Sequence, residues 1–183
     1  MRKGAVHVGR AGRSPNRLRR ETATVRPGDV LEIHYDAALL ALKPPEATLV
    51  RDAARWSAWG KPAGLLSQGT EFGDHASLLR QVEKVLDRPV FLVHRLDREV
   101  AGLVLVAHDP EAAAALSALL REAKVVKRYR AEVTGDVEAG RGRKGTIEIP
   151  LDDKAARTSF RVLSRDAARN TTTLEVTIET GRH

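Results

Sequence analysis

At 183 residues with 42% apolar side chains, the chain can build one domain with a proper core and a small appendage, but not two full domains. The absence of cysteine excludes disulfides, thiolate metal sites and thiol catalysis. The six histidines, at 7, 34, 75, 94, 108 and 183, have no HExxH-like spacing, so no metal site is expected. The net charge of +7 is concentrated: residues 1–30 hold eight Arg/Lys against two acids, and residues 121–146 eight against four, a pattern suited to a polyanion partner.

No apolar run approaches the roughly 18 residues of a membrane span. The basic N-terminus lacks the apolar stretch of a secretory signal. A cytoplasmic protein is therefore expected.

In chain order, residues 1–36 read as a small separate unit. Within it "VRPGDVLEIHY" predicts a Pro-Gly-Asp turn followed by a strand. "LKPPEATLV" reads as a linker, because paired prolines disfavour helix. "HASLLRQVEKVLD" places Leu78, Leu79, Val82, Val85 and Leu86 on one helical stripe. "FLVH" and "GLVLVA" read as strands buried on both faces. "DPEAAAALSALLREAKV" predicts a helix capped by Asp109, with Pro110 in its first turn.

"KRYRAEVTG" alternates, with Tyr129, Ala131 and Val133 on one face. "DVEAGRGRKGT" reads as a glycine-rich loop. "GTIEIPLD", "TSFRVLS" and "TTTLEVTIET" follow as strands, the last with Leu174, Val176 and Ile178 facing the core. Helices and strands do not alternate regularly, which predicts an α+β fold with a mixed, mostly antiparallel sheet flanked by helices.

The chemistry concentrates in "VHRLDREVAG", Val93 to Gly102. A carboxylate at Asp97, next to an apolar strand, is expected to be partly desolvated and to need a cation. The bland reading is a turn closed by Arg95 or Arg98. A second reading is a glycoside hydrolase, which ordinarily needs another carboxylate about 5–10 Å away, Glu99 being the nearest in sequence.

The flanks favour a third reading. "HRLDREVAGLVLVA", "KPAGLLSQGT" (Lys61 to Thr70), "KRYRAEVTG" (Lys127 to Gly135), "ARTSFRVL" and "ETGRH" (Glu179 to His183) together resemble the ordered motifs of the RluA-like family of RNA pseudouridine synthases. The resemblance implies the pseudouridine synthase catalytic fold over residues 43–183. Residues 1–36 more weakly resemble part of the small alpha-L RNA-binding module. The family resemblance implies isomerisation of uridine to pseudouridine in ribosomal or transfer RNA, with no cofactor and no metal; a monomer is the default expectation.

By the same resemblance Asp97 is the catalytic aspartate, as nucleophile or base. Arg182 orients its carboxylate. Tyr129 stacks on the target base and assists proton transfer from its carbon. Arg95 helps displace the target nucleotide from the RNA helix, and His94 does the same or braces the turn. Lys61 and Pro62 form the floor of the cleft, although a lysine in that setting is ordinarily a surface residue. Gly64 and Gly102 are expected to permit close backbone approach. Arg141, Arg143, Lys144 and the N-terminal arginines are expected to contact phosphates. The sequence departs from the family pattern at Val100 and Ala101, where Thr-Ser is usual, and it stops inside the last motif, as expected of a C-terminally truncated form. An inactive RNA-binding relative is the alternative.

Overall fold

Trp56–Lys61 and Gly102–Ala107 pair in antiparallel register at the centre of the first of two compact units, residues 1–117 and 118–183. The computed structural model describes residues 3–10, 14–18, 22–150 and 155–180.

The first unit carries two sheets. Val6–Gly9 (β1), Asn16–Arg17 (β2) and Val30–Ile33 (β3) form an antiparallel sheet in the order β2-β1-β3. The predicted turn closes through the Asp29 N–H donating to the Arg26 carbonyl at 3.0 Å. A short helix, Ala37–Ala41 (α1), follows, capped by Asp36. This region is tied to the loop after the central strand: Arg17 donates to the carbonyls of Gly4 and Thr70, and the Asp74 N–H donates to the Lys3 carbonyl at 3.0 Å.

The second sheet has the order β4-β5-β7-β6, from Thr48–Asp52 (β4), Trp56–Lys61 (β5), Phe91–Leu92 (β6) and Gly102–Ala107 (β7). Leu78–Leu86 (α2) packs Leu78 and Val82 with Trp59, Leu65, Val90, Val104 and Val106 into one core. Burying such side chains stabilises the unit by roughly 1.5–3 kcal/mol each. Ser77 caps α2, and Asp87 ends it in the left-handed region at φ 48°. Pro110–Arg121 (α3) is capped as predicted by Asp109, which accepts the Ala112 N–H at 2.8 Å.

The second unit is a meander-like antiparallel sheet of order β8-β11-β10-β9, from Arg128–Thr134 (β8), Lys144–Glu148 (β9), Arg157–Asp166 (β10) and Thr171–Thr180 (β11), with a short helix Val137–Arg141 (α4). β8 is half-buried at alternate positions, Tyr129, Ala131 and Val133 sharing the inner face. Phe160, Val162 and Leu174 form the core. A bulge at Leu163 shifts the β10–β11 register. Gly145 lies opposite Phe160, and a Cβ there would meet the ring at 2.8 Å, so only hydrogen fits.

The α+β class with mostly antiparallel pairing is as expected, while several local expectations are corrected. The end of the proline linker is β4, an exposed edge strand, and Gln81 holds the segment before it: its amide accepts from the Ala47 N–H and donates to the Pro45 carbonyl. The glycine-rich loop contains α4, because the Asp136 carboxylate caps it and Gly142 supplies a positive φ at its end. β7 is not buried on both faces, since Leu103 is 58% exposed. Val85 lies in the last turn of α2 and faces solvent rather than joining the apolar stripe. Among the described residues no helix is long and apolar enough to cross a membrane.

Candidate active site

The segment from Val93 to Ala101 leaves β6, carries Asp97 and returns as β7. Asp97 and Val100 close a turn through the Val100 N–H and the Asp97 carbonyl at 3.1 Å. Four residues fasten this turn from both sides. Upstream, His94 Nε2 accepts the Leu105 N–H at 3.1 Å, which places that ring's proton on Nδ1. The Ser67 hydroxyl donates to the Leu96 carbonyl at 2.6 Å and accepts the Leu96 N–H at 3.0 Å, one residue before Asp97. Downstream, the Gly64 N–H donates to the Arg98 carbonyl at 2.7 Å. The Lys61 ammonium donates to the same carbonyl at 3.2 Å.

Lys61 is the main surprise. The sequence reading placed it in the floor of the cleft, against the ordinary expectation of a surface lysine; it is 1% exposed. Its register partner is Gly102, where the turn rejoins the sheet. Its ammonium also donates to the carbonyls of Leu65 at 2.7 Å and Pro62 at 3.2 Å, so its three protons are all engaged. Burial pushes its pKa below the lysine value, opposed by the negative charges of Glu99 and Asp97. It is thus a buried cation beneath the Asp97 turn, a brace rather than a surface contact for substrate, because its donors are already spent on backbone oxygens.

The Asp97 side chain itself is exposed, not desolvated as expected, and forms no hydrogen bond or ion pair among the described residues. The turn-closing salt bridge to Arg95 or Arg98 is not made; Arg98 donates instead to the Gly64 carbonyl at 3.4 Å. Arg95 is exposed. Gly64 is needed for its φ of 88° rather than for close approach, since a Cβ there would meet nothing nearer than Pro45 at 4.0 Å. Gly102 does sit close, 3.3 Å from Leu96 by the same measure.

Within the second unit, Tyr129 is half-buried and pairs with Val176 across β8 and β11. Arg141 ends α4, Lys144 opens β9, and Arg143 between them reaches Glu138 at 3.8 Å. All three are exposed, so their charges face solvent. Arg182, with Arg13, Arg19 and Arg20, lies outside the described residues.

An exposed carboxylate with no hydrogen bond or ion pair among the described residues, on a turn that cannot shift without breaking several hydrogen bonds, is suited to attack or proton abstraction on a substrate brought to it. Residues 55–183 match the family model for RNA pseudouridylate synthase.

The chain belongs to the RNA pseudouridylate synthase family.

It is 31% identical over 196 residues to the ribosomal large subunit pseudouridine synthase D of Pseudomonas aeruginosa, covering 91% of this chain and 59% of that protein. It is 33% identical over 93 residues to the tRNA pseudouridine synthase C of Haemophilus ducreyi, covering 50% of this chain and 37% of the relative. Its fold is similar to that of human RNA pseudouridylate synthase domain containing 1, with a TM-score of 0.62, 18% identity, and coverage of 77% of this chain and 64% of the human one. The chain thus spans less than two thirds of each of these pseudouridylate synthase relatives. Ser67 was not singled out from sequence; its place in the "KPAGLLSQGT" motif of the family was the available signal.

Proposed function

We propose that this chain carries the catalytic centre of an RNA pseudouridine synthase, with Asp97 acting on a uridine displaced from structured RNA. The observation that carries the proposal is the exposed Asp97 carboxylate on a turn pinned by Lys61, Gly64, Ser67 and His94. Family membership supplies the reaction class. In this reading the base leaves the sugar, turns and rejoins through carbon, releasing the hydrogen of that carbon.

Tyr129 stacks on the base and Arg182 orients Asp97. Arg95 assists displacement of the nucleotide, because a base within a stack is out of reach. Arg141, Arg143 and Lys144 hold phosphates, which positions the RNA without naming its sequence. Residues 1–36 act as an auxiliary RNA-binding unit. The relatives' names point to ribosomal or transfer RNA as substrate; a cytoplasmic location, where such RNA is met, completes the reading.

The test is tritium release from RNA labelled at the uracil carbon that changes bonding. The expected outcome is release by the native chain and a fall of about 10²–10⁴-fold in Asp97→Asn, with RNA affinity retained. Release at the native rate from Asp97→Asn would sink the proposal. Val100 and Ala101, in place of the usual hydroxyl pair, favour a second reading as an inactive RNA-binding relative; RNA binding without any release by the native chain would establish that one.

A further inference from the structure

Histidine spacing gave no hint of a metal site, but strand register brings together residues that sequence keeps apart. β1 and β3 pair so that His7 lies directly opposite Glu32. Residues opposed in an antiparallel pair share a face, and the period of two returns His34 to the face of Glu32. The His34 N–H continues the ladder to the Ala5 carbonyl at 2.9 Å.

The outcome is a compact trio. One ligand atom from each of His7, Glu32 and His34 lies within 4.8 Å of the others. The two imidazole centroids are 4.8 Å apart with planes tilted by 54°. The Nε2 atoms of both rings are shielded from solvent and have no hydrogen-bond partner among the described residues. His34 Nε2 and Glu32 Oε2 are 3.7 Å apart, too far for a hydrogen bond. Buried polar atoms are ordinarily paired, so two adjacent orphaned ring nitrogens beside a carboxylate call for an occupant.

We propose that His7, Glu32 and His34 form a binding site for a divalent transition metal ion of the zinc type, stapling β1 to β3. Two imidazole nitrogens and one carboxylate oxygen suit zinc, nickel or copper(II), whereas magnesium and calcium prefer all-oxygen sets. Ligand bonds of about 2.0–2.2 Å require the three atoms to draw together by about 1 Å, within reach of side-chain rotation. The neighbourhood is mixed in charge: Arg17 acts on the His7 ring as a positive charge, and Glu32 and Glu71 as negative ones. Phe72 stands edge-on to the His34 ring at 5.7 Å, giving the site an apolar wall.

An independent observation gives the staple a purpose. Val30, Leu31 and Ile33 of β3 are 53%, 48% and 73% exposed, and Ala5 is the buried apolar residue of this region among those described. A small sheet with so little core is of the kind that a metal stabilises.

The experiment uses the full chain without a polyhistidine tag, stripped with chelator, and zinc alone as the probe. Calorimetric titration is expected to give one zinc per chain. Hydrogen exchange is expected to slow at residues 5–9 and 30–34. His7→Ala and His34→Ala should each abolish the titration heat, Glu32→Gln should weaken it, and His75→Ala should leave it intact, with circular dichroism confirming that each variant folds. The proposal is overturned by no zinc uptake, by uptake that survives the His7/His34 double replacement, by equal loss in His75→Ala, or by uptake without protection of β1 and β3. A variant that fails to fold is replaced by cobalt(II) absorption on the native chain; a spectrum lacking nitrogen ligation would also overturn it.

Discussion

Replacing Ser67 by alanine removes one oxygen and two hydrogen bonds, both to Leu96, the residue before Asp97. Ser67 is 4% exposed, so water has poor access to the amide and carbonyl left behind. A net hydrogen bond contributes about 0.5–1.5 kcal/mol, and a buried group left unpaired costs roughly 1–3 kcal/mol. Two such bonds, one partly replaceable by water, give a loss of about 2 kcal/mol. In a chain of this size each kcal/mol moves the melting midpoint by roughly 2–4 °C, so a drop of about 4–8 °C is expected in a thermal melt followed by circular dichroism. The larger effect is on chemistry. Misplacement of a reacting group by about 1 Å can cost on the order of 100-fold in rate, and the tritium-release rate of Ser67→Ala should fall by about that factor while RNA affinity stays within about twofold. A variant with native midpoint and native rate would refute the argument that this hydroxyl holds the Asp97 turn.

The remaining predictions concern charge and packing. Lys61 is depressed below the 10.5 of a free lysine by burial. In the window between its folded value and 10.5 the unfolded chain binds more protons, so this group makes stability rise with pH there; denaturant melts of Lys61→Met should lack that increment. Asp109 is held well below the ordinary 3.8 by hydrogen bonds from Arg55 and the Ala112 amide. Its stabilising contribution is present above 3.8 and is lost as pH falls through and below it, and Asp109→Asn, which keeps a capping oxygen, should flatten acid melts in that range. Gly145→Ala forces Phe160 to move, an overpacking that should destabilise by about 1–3 kcal/mol in urea unfolding. Neutralising Arg141, Arg143 and Lys144 together should lower the slope of log affinity against log salt by about 2, at roughly 0.7 per phosphate contact on single strands.

The sequence made visible what depends on short-range pattern. Alternation in β8 and the Asp109 cap of α3 are local signals, and the structure keeps them. The Asp97 motif was equally plain, being contiguous. Features set by distant partners were not. The full burial of Lys61 was not legible because two of the carbonyls that take its protons, those of Leu65 and Arg98, are brought to it by the fold, and nothing local reveals that backbone oxygens will hold them. β4 hid behind two prolines because its pairing with β5 and the grip of Gln81 are tertiary. α4 hid among glycines because Asp136 and Gly142 act as boundary residues around a single turn. The His7–Glu32–His34 trio arises from strand register, which histidine spacing does not encode.

The anchoring of the Asp97 turn has a consequence for inheritance. Three of its four fasteners, Lys61, Gly64 and Ser67, come from one seven-residue stretch, and the fourth, His94, reaches Leu105 on the far side of the turn. Two pieces of chain, 61–67 and 93–105, therefore behave as a single transplantable module. A chimera that takes either piece from another family member without its companion should misplace the carboxylate, whereas one that moves both together should keep it in position.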